Sequence, residues 1–127
     1  MSSRDGVILT GAPQIERQDM VVMLSTAPDL LLAKRIAHVL IEEYLAACVN
    51  VGAPVLSMYM WQDVLEGAEE IPLTIKTSGD RAQAVAERLA QLHPYEVPEI
   101  VVVPAIGASM DYAQWVHAQT RTRMGHD

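Results

Sequence analysis

Apolar and polar positions change rhythm along the chain, and each change marks an element. Met20-Val21-Val22-Met23-Leu24 is a continuous apolar run, the signature of a strand covered on both faces. Thr26-Ala27-Pro28-Asp29 then reads as a helix start, with Thr26 as cap, Pro28 in the first turn and Asp29 completing a capping box. Apolar residues recur at Ala33, Ile36, Ala37, Leu40, Ile41 and Tyr44, with Arg35, His38 and Glu42 opposite, so an amphipathic helix follows. Ala46 to Val51 predicts a second strand, and Gly52-Ala53-Pro54 a bulge or bend. Val55 to Trp61 resumes the strand. Val55, Ser57, Tyr59 and Trp61 share one face and Leu56, Met58 and Met60 the other. Both faces are largely apolar. Helices on one side of a small domain leave the second face to be covered by another subunit, so the pattern predicts self-association.

Gln62 to Glu70 is polar, contains Gly67, and reads as a hairpin connection. Alternation of Ile71, Leu73, Ile75 and Thr77 with Pro72, Thr74 and Lys76 predicts a third strand. Asp80, with Gln83 three residues on, predicts the cap of a second helix that buries Ala82, Val85, Ala86 and Leu89 and stops before Pro94. Ile100 to Val103 is a fourth strand. Ser109 opens a last helix with Tyr112, Trp115 and Val116 on one stripe. The order β-α-β-β-α-β with an added C-terminal helix predicts an α+β, ferredoxin-like antiparallel sheet with two helices on one face. Residues 1–19, rich in Gly, Pro and polar side chains, read as a flexible or loosely docked arm before a domain over 20–119, and residues 120–127 as a tail.

The 127 residues fit one domain with a real core. Lys plus Arg is 9 against 16 for Asp plus Glu, a formal charge of −7. That balance argues against a nucleic-acid partner and against an anionic membrane surface. No apolar run approaches the roughly 20 residues that span a bilayer, and the first residues lack the apolar core of a signal peptide. Cys48 is the only cysteine, which excludes an intrachain disulfide and fits a reducing, cytoplasmic setting.

Phosphate-cradling loops and a serine nucleophile elbow are absent from the sequence. Cys48, inside Ala46-Ala47-Cys48-Val49, reads first as a small buried apolar residue. His38 and Glu42, at i,i+4, read as a solvated pair rather than ion ligands, and His117 and His126 as surface residues. The unusual stretch is His93-Pro94-Tyr95-Glu96-Val97-Pro98-Glu99-Ile100, held extended by two prolines. Its plain reading is a helix-to-strand link. Extended, His93 and Glu99 stand on the order of 20 Å apart, so an ion between them needs donors from elsewhere, such as a neighbouring subunit. Lys76 reads as a salt-bridged base or an anion contact, Tyr59 and Trp61 as core or interface, and Glu69-Glu70 as solvated charges.

Taken together, Leu45-Ala46-Ala47-Cys48-Val49-Asn50, Tyr59-Met60-Trp61, Ile75-Lys76-Thr77 and the octapeptide from His93 resemble the CutA divalent-cation-tolerance family. The resemblance runs from about Met20 to about Gln119. It implies a cytoplasmic homotrimer of ferredoxin-like subunits, kinship in architecture to the PII signalling proteins, and a link to copper and other divalent ions. His93 would then lead a metal set for Cu2+ or another divalent cation, with Cys48 as soft donor if it faces the cleft and Glu99 or Glu96 supplied by an adjacent chain. Imidazole with thiolate suits copper and zinc. Tyr59, Trp61, Lys76 and Tyr95 match an intersubunit cleft. The rival reading is a PII-like regulator or scaffold holding a small anion near Lys76. An enzyme is the least supported, since no nucleophile–base pair is visible. This chain has Ser25 where some members carry a second cysteine, and Gln62-Asp63 where relatives often show Glu-Gly.

Overall fold

The computed structural model describes residues 6–121; His126 and most of the expected tail lie outside them. A short helix α1 (Ala12–Glu16) precedes β1 (Val21–Ala27), α2 (Leu30–Glu42), β2 (Cys48–Val51), β3 (Val55–Trp61) and β4 (Val64–Thr77). A 3-10 turn at Gly79–Arg81 leads into α3 (Ala82–Leu92), followed by β5 (Val101–Pro104) and α4 (Met110–Gln119). All strand pairs are antiparallel. The sheet runs β2-β4-β1-β5, and β3 extends it by pairing with β4 alone. The architecture is α+β, an antiparallel sheet with helices.

The apolar stripes read from the sequence form the core. Ala33, Ile36 and Leu40 of α2 and Ala82, Val85, Ala86 and Leu89 of α3 pack against Val21, Met23, Leu73 and Ile75. Cross-strand partners share a face. The register therefore puts Val22, Leu24, Lys76, Cys48, Val101 and Val103 together on the face opposite the helices.

Local chemistry moves several expected boundaries. Asp29, not Thr26, caps α2, accepting from Leu32 N–H at 2.8 Å. Thr26 stays in β1, where Pro72 lies opposite it. Asp80 does not cap α3: the helix is entered through the 3-10 turn, and Asp80 instead accepts from Ser78 and Arg121. Ser109 does cap α4, taking the Tyr112 N–H. On α4 only Val116 is buried, while Trp115 stays half exposed. β5 begins at Val101 and ends on Pro104, a proline allowed on an edge strand.

The bend at residues 52–54 is a bulge. Val51 faces Leu73 and Val55 faces Glu70, so three residues of one strand oppose two of the other. The loop expected over Gln62 to Glu70 is instead strand: Gln62 and Asp63 alone turn the chain, with φ of 50° and 66°. Positive φ at both positions is what a two-residue hairpin turn demands. β4 is thereby 14 residues long.

From Gly6 onward the segment expected to be a flexible or loosely docked arm is docked. The Gln83 side chain donates to Val7 C=O and accepts from Leu9 N–H. Gly79 N–H donates to Gln18 C=O at 3.1 Å. A methyl group at Gly79 would stand 2.1 Å from Ile15 C=O, so only glycine lets the arm approach this closely. Val7, Leu9 and Ile15 pack on the core.

Candidate functional site

Proline sets the centre of the site. Pro94 disfavours helix for the residue before it, and α3 ends on His93 in extended geometry. That turn drives the imidazole fully into the protein. Tyr95 N–H donates to His93 Nδ1 at 3.2 Å, which makes Nδ1 the acceptor. The proton therefore sits on Nε2, which donates to Thr26 C=O at 2.7 Å. The His93 and Tyr95 rings lie 4.5 Å apart.

Tyr95 in turn reaches the sheet. Its hydroxyl donates to Glu70 Oε2 at 3.0 Å, and Thr26 Oγ1 donates to the same oxygen at 3.2 Å. Glu70 is 8% exposed. Burial, the hydrogen bond to Glu70 and that carboxylate's charge, with Tyr59 adding to them, push the Tyr95 hydroxyl up to about 12. The phenol stays neutral and remains a donor.

These groups border a cleft of about 560 Å³. The hairpin supplies Tyr59, Trp61, Glu66 and Glu70, and the His93–Ile100 link supplies Tyr95, Glu96, Val97 and Glu99. Register explains the convergence: Tyr59 faces Glu66 and Val55 faces Glu70, so all four lie on one face of the hairpin. Among the described residues no lysine, arginine or histidine lines the cleft.

The expected residues divide between two places. Tyr59, Trp61, Tyr95, Glu96 and Glu99 meet in the cleft. Cys48 and Lys76 face each other across β2 and β4. Lys76 is opposite Val22, four residues from Thr26 along β1, about 13 Å away. Lys76 Nζ donates to Asn50 Oδ1. His93, expected to lead a metal set, lies behind Tyr95 rather than in the cleft lining, and its two ring nitrogens are engaged by Thr26 C=O and Tyr95 N–H. Among the described residues no three His, Cys, Asp or Glu side chains are arranged to hold an ion. Ser25, where a second thiol was of interest, points to the helix face by alternation with Met23 and Ala27, whereas Cys48 lies on the opposite face. His38 and Glu42 form an exposed pair at 2.9 Å, and His117 is exposed.

Thr26, Glu66 and Glu70 were missed. The sequence pattern points to Thr26 as a cap and to the glutamates as loop residues. No alternation of buried and polar positions marks residues 64–70, so the sequence carries no strand signal that would have placed these glutamates.

Residues 21–119 match the family described as CutA1 divalent ion tolerance protein. The divalent-cation tolerance protein CutA of Pectobacterium atrosepticum is 42% identical over 103 residues, which is 81% of this chain and 94% of that protein. Its counterpart in Yersinia pestis is 34% identical over 114 residues, 90% and 96% of the two chains. Among solved structures, CutA from Xylella fastidiosa superposes with a TM-score of 0.80 at 38% identity, covering 81% of this chain and 99% of the other. The protein named periplasmic divalent cation tolerance protein CutA from Archaeoglobus fulgidus gives 0.78 at 30% identity, covering 80% and 99%. The His93 link, the Ala-Ala-Cys run and the aromatic hairpin all fall within a matched span that takes in every element after α1, and the chain belongs to the CutA1 divalent ion tolerance family.

Proposed function

We propose that the chain serves metal-ion tolerance by binding divalent cations, copper among them, as a cytoplasmic homotrimer of ferredoxin-like subunits. The observation that carries the reading is the acidic cleft, where Glu66, Glu70, Glu96 and Glu99 meet with no basic side chain among the lining residues. Carboxylate oxygens accept divalent cations of many kinds. Because these groups do not form a closed set within one subunit, the ligand shell is completed by a neighbouring subunit. The trimer reading is supported by the hairpin, which leaves Leu56, Met58, Met60 and Leu65 exposed, and by Val101 and Val103, exposed on the sheet face that the helices do not cover.

A binding role fits the site better than catalysis. His93 has no free nitrogen to act as base, and Cys48 lies at the far end of the sheet. An anion beside Lys76 finds no support in the cleft, which Lys76 does not line.

The test is a calorimetric Cu(II) titration of the full chain beside Glu96→Gln/Glu99→Gln and His93→Gln. The expected result is saturable binding that weakens at least tenfold in the glutamate variant. His93→Gln is expected to change stability more than affinity. Binding indifferent to the glutamates would overturn the reading.

A further inference from the structure

We infer that the arm, residues 6–19, is part of the subunit interface: together with β5 it forms a groove that seats the edge strand β2 of a second copy. This deepens the homotrimer reading and rests on it, while the arm itself precedes the span shared with the family. The backbone makes the first argument. Among the described residues β5 ends the sheet and has β1 alone as neighbour. Ala105 N–H donates to Met20 C=O at 3.2 Å. Antiparallel partners alternate between hydrogen-bonded and unbonded pairs. Val103 and Val101 therefore bond to Val22 and Leu24, while Val102 turns its N–H and C=O outward. An extended strand is the partner that satisfies outward backbone groups on a sheet edge.

The groove beside that edge has a volume of about 650 Å³ and an apolar lining from both sides. The arm supplies Ile8, Leu9 and Ile15, and β5 supplies Val101, Val102 and Pro104. The arm is fixed there. Gln83 fastens Val7 C=O and Leu9 N–H, and Ile8 between them is left 81% exposed. Ile8 shares the groove with Val101, also exposed, and apolar surface gathered in one place marks a contact. A second copy carries the fitting strand. β2, at the opposite end of the same sheet, is also four residues long and open on one side. Gly52 N–H donates to Pro72 C=O, which by the same alternation turns the backbone groups of Val49 and Val51 outward. One subunit thus owns two complementary open edges at opposite ends of one sheet. Joining β5 of one copy to β2 of the next is a head-to-tail contact, which forms a ring where the rotation closes.

The experiment is light scattering over a dilution series of the full chain beside Ile8→Asp and Val102→Pro, with amide exchange followed at Val102. Proline at 102 removes an N–H that β1 does not use. Ile8 is exposed, so its variant tests the groove even if Val102→Pro disturbs β5. Leu31→Asp, on α2 and equally exposed, is the matched control. The parent is expected to be a trimer with a slowly exchanging Val102 amide. Ile8→Asp and Val102→Pro should each move dissociation to at least tenfold higher concentration, and the Val102 amide should exchange at least tenfold faster in Ile8→Asp. A monomeric parent would overturn the homotrimer reading and this inference with it. A trimer unmoved by Ile8→Asp, moved equally by Leu31→Asp, or exchanging freely at Val102 would overturn this inference and leave the homotrimer standing.

Discussion

Tyr95 links the buried imidazole to the open cleft, and its proton is the most readily followed. Held up to about 12, it should titrate above the ordinary tyrosine value of about 10 in an ultraviolet pH titration. Glu70→Gln removes a hydrogen bond and a charge that both favour the neutral phenol, so the titration should move down toward the ordinary tyrosine value. The sign for stability follows. An unfolded tyrosine ionises from about 10, while folded Tyr95 resists, so stability falls as pH rises from about 10 to about 12 and is unaffected below. A Glu70→Gln variant with an unchanged profile would show that the carboxylate does not set it. Asp63 offers a separate check on the backbone. Its φ of 66° costs a non-glycine residue about 1 kcal/mol, so Asp63→Gly should raise the unfolding free energy by about that amount in a urea melt.

Between elements, the joints that hold the fold are polar and specific. Arg121 grips Asp80 with two guanidinium nitrogens, Nη1 and Nη2 at 2.9 and 2.8 Å, and also donates to Ser78, tying the end of α4 to the turn before α3. The Arg121 guanidinium, helped by Ser78, holds the Asp80 carboxyl well below the usual carboxylate range despite the opposing effect of burial. A depressed acid contributes stability above its unfolded value of 3.8, lost as pH falls below it. The melting-temperature gap between the parent chain and Asp80→Asn should therefore be open above pH 4 and close in stronger acid. Gly79→Ala, which sets a methyl group against Ile15 C=O, should cost about 1–3 kcal/mol and speed amide exchange at Gly79. The same joints show what could be read beforehand. Helical stripes at Ala33, Ile36, Leu40 and at Val85, Ala86, Leu89 were legible because burial imposes a period on sequence. The docking of residues 6–19 was not, because its polar joints are long-range: Gln83 bridges two backbone groups 74 and 76 residues away, and Gly79 N–H reaches Gln18 C=O. The long β4 was hidden for another reason: beyond the bulge its faces carry glutamates, glycine and exposed leucine and valine, so no buried alternation announces a strand. Tyr59, Trp61, Lys76 and Tyr95 were expected in one intersubunit cleft; the subunit brings the three aromatics together without Lys76, whereas Glu70 looked like an ordinary surface charge.

At the scale of the molecule, the hairpin stands out from the core with apolar residues on both sides. Under the proposed homotrimer, replacing Leu56 and Met58 with glutamate should give monomers in light scattering while leaving the core folded; an unchanged mass would place any interface elsewhere. No helix among the described residues is long and apolar enough to cross a membrane. β4 gives the molecule its grain. One strand belongs both to the sheet, between β1 and β2, and to the hairpin beside β3, so the tip and the body share an uninterrupted beam. Tension applied along it loads many ladder bonds in shear at once, whereas β5, four residues long with β1 as its neighbour in the sheet, opens bond by bond when peeled. Optical tweezers attached at the hairpin tip and at β1 should record a much higher rupture force than the same handles moved to β5, making the subunit mechanically anisotropic.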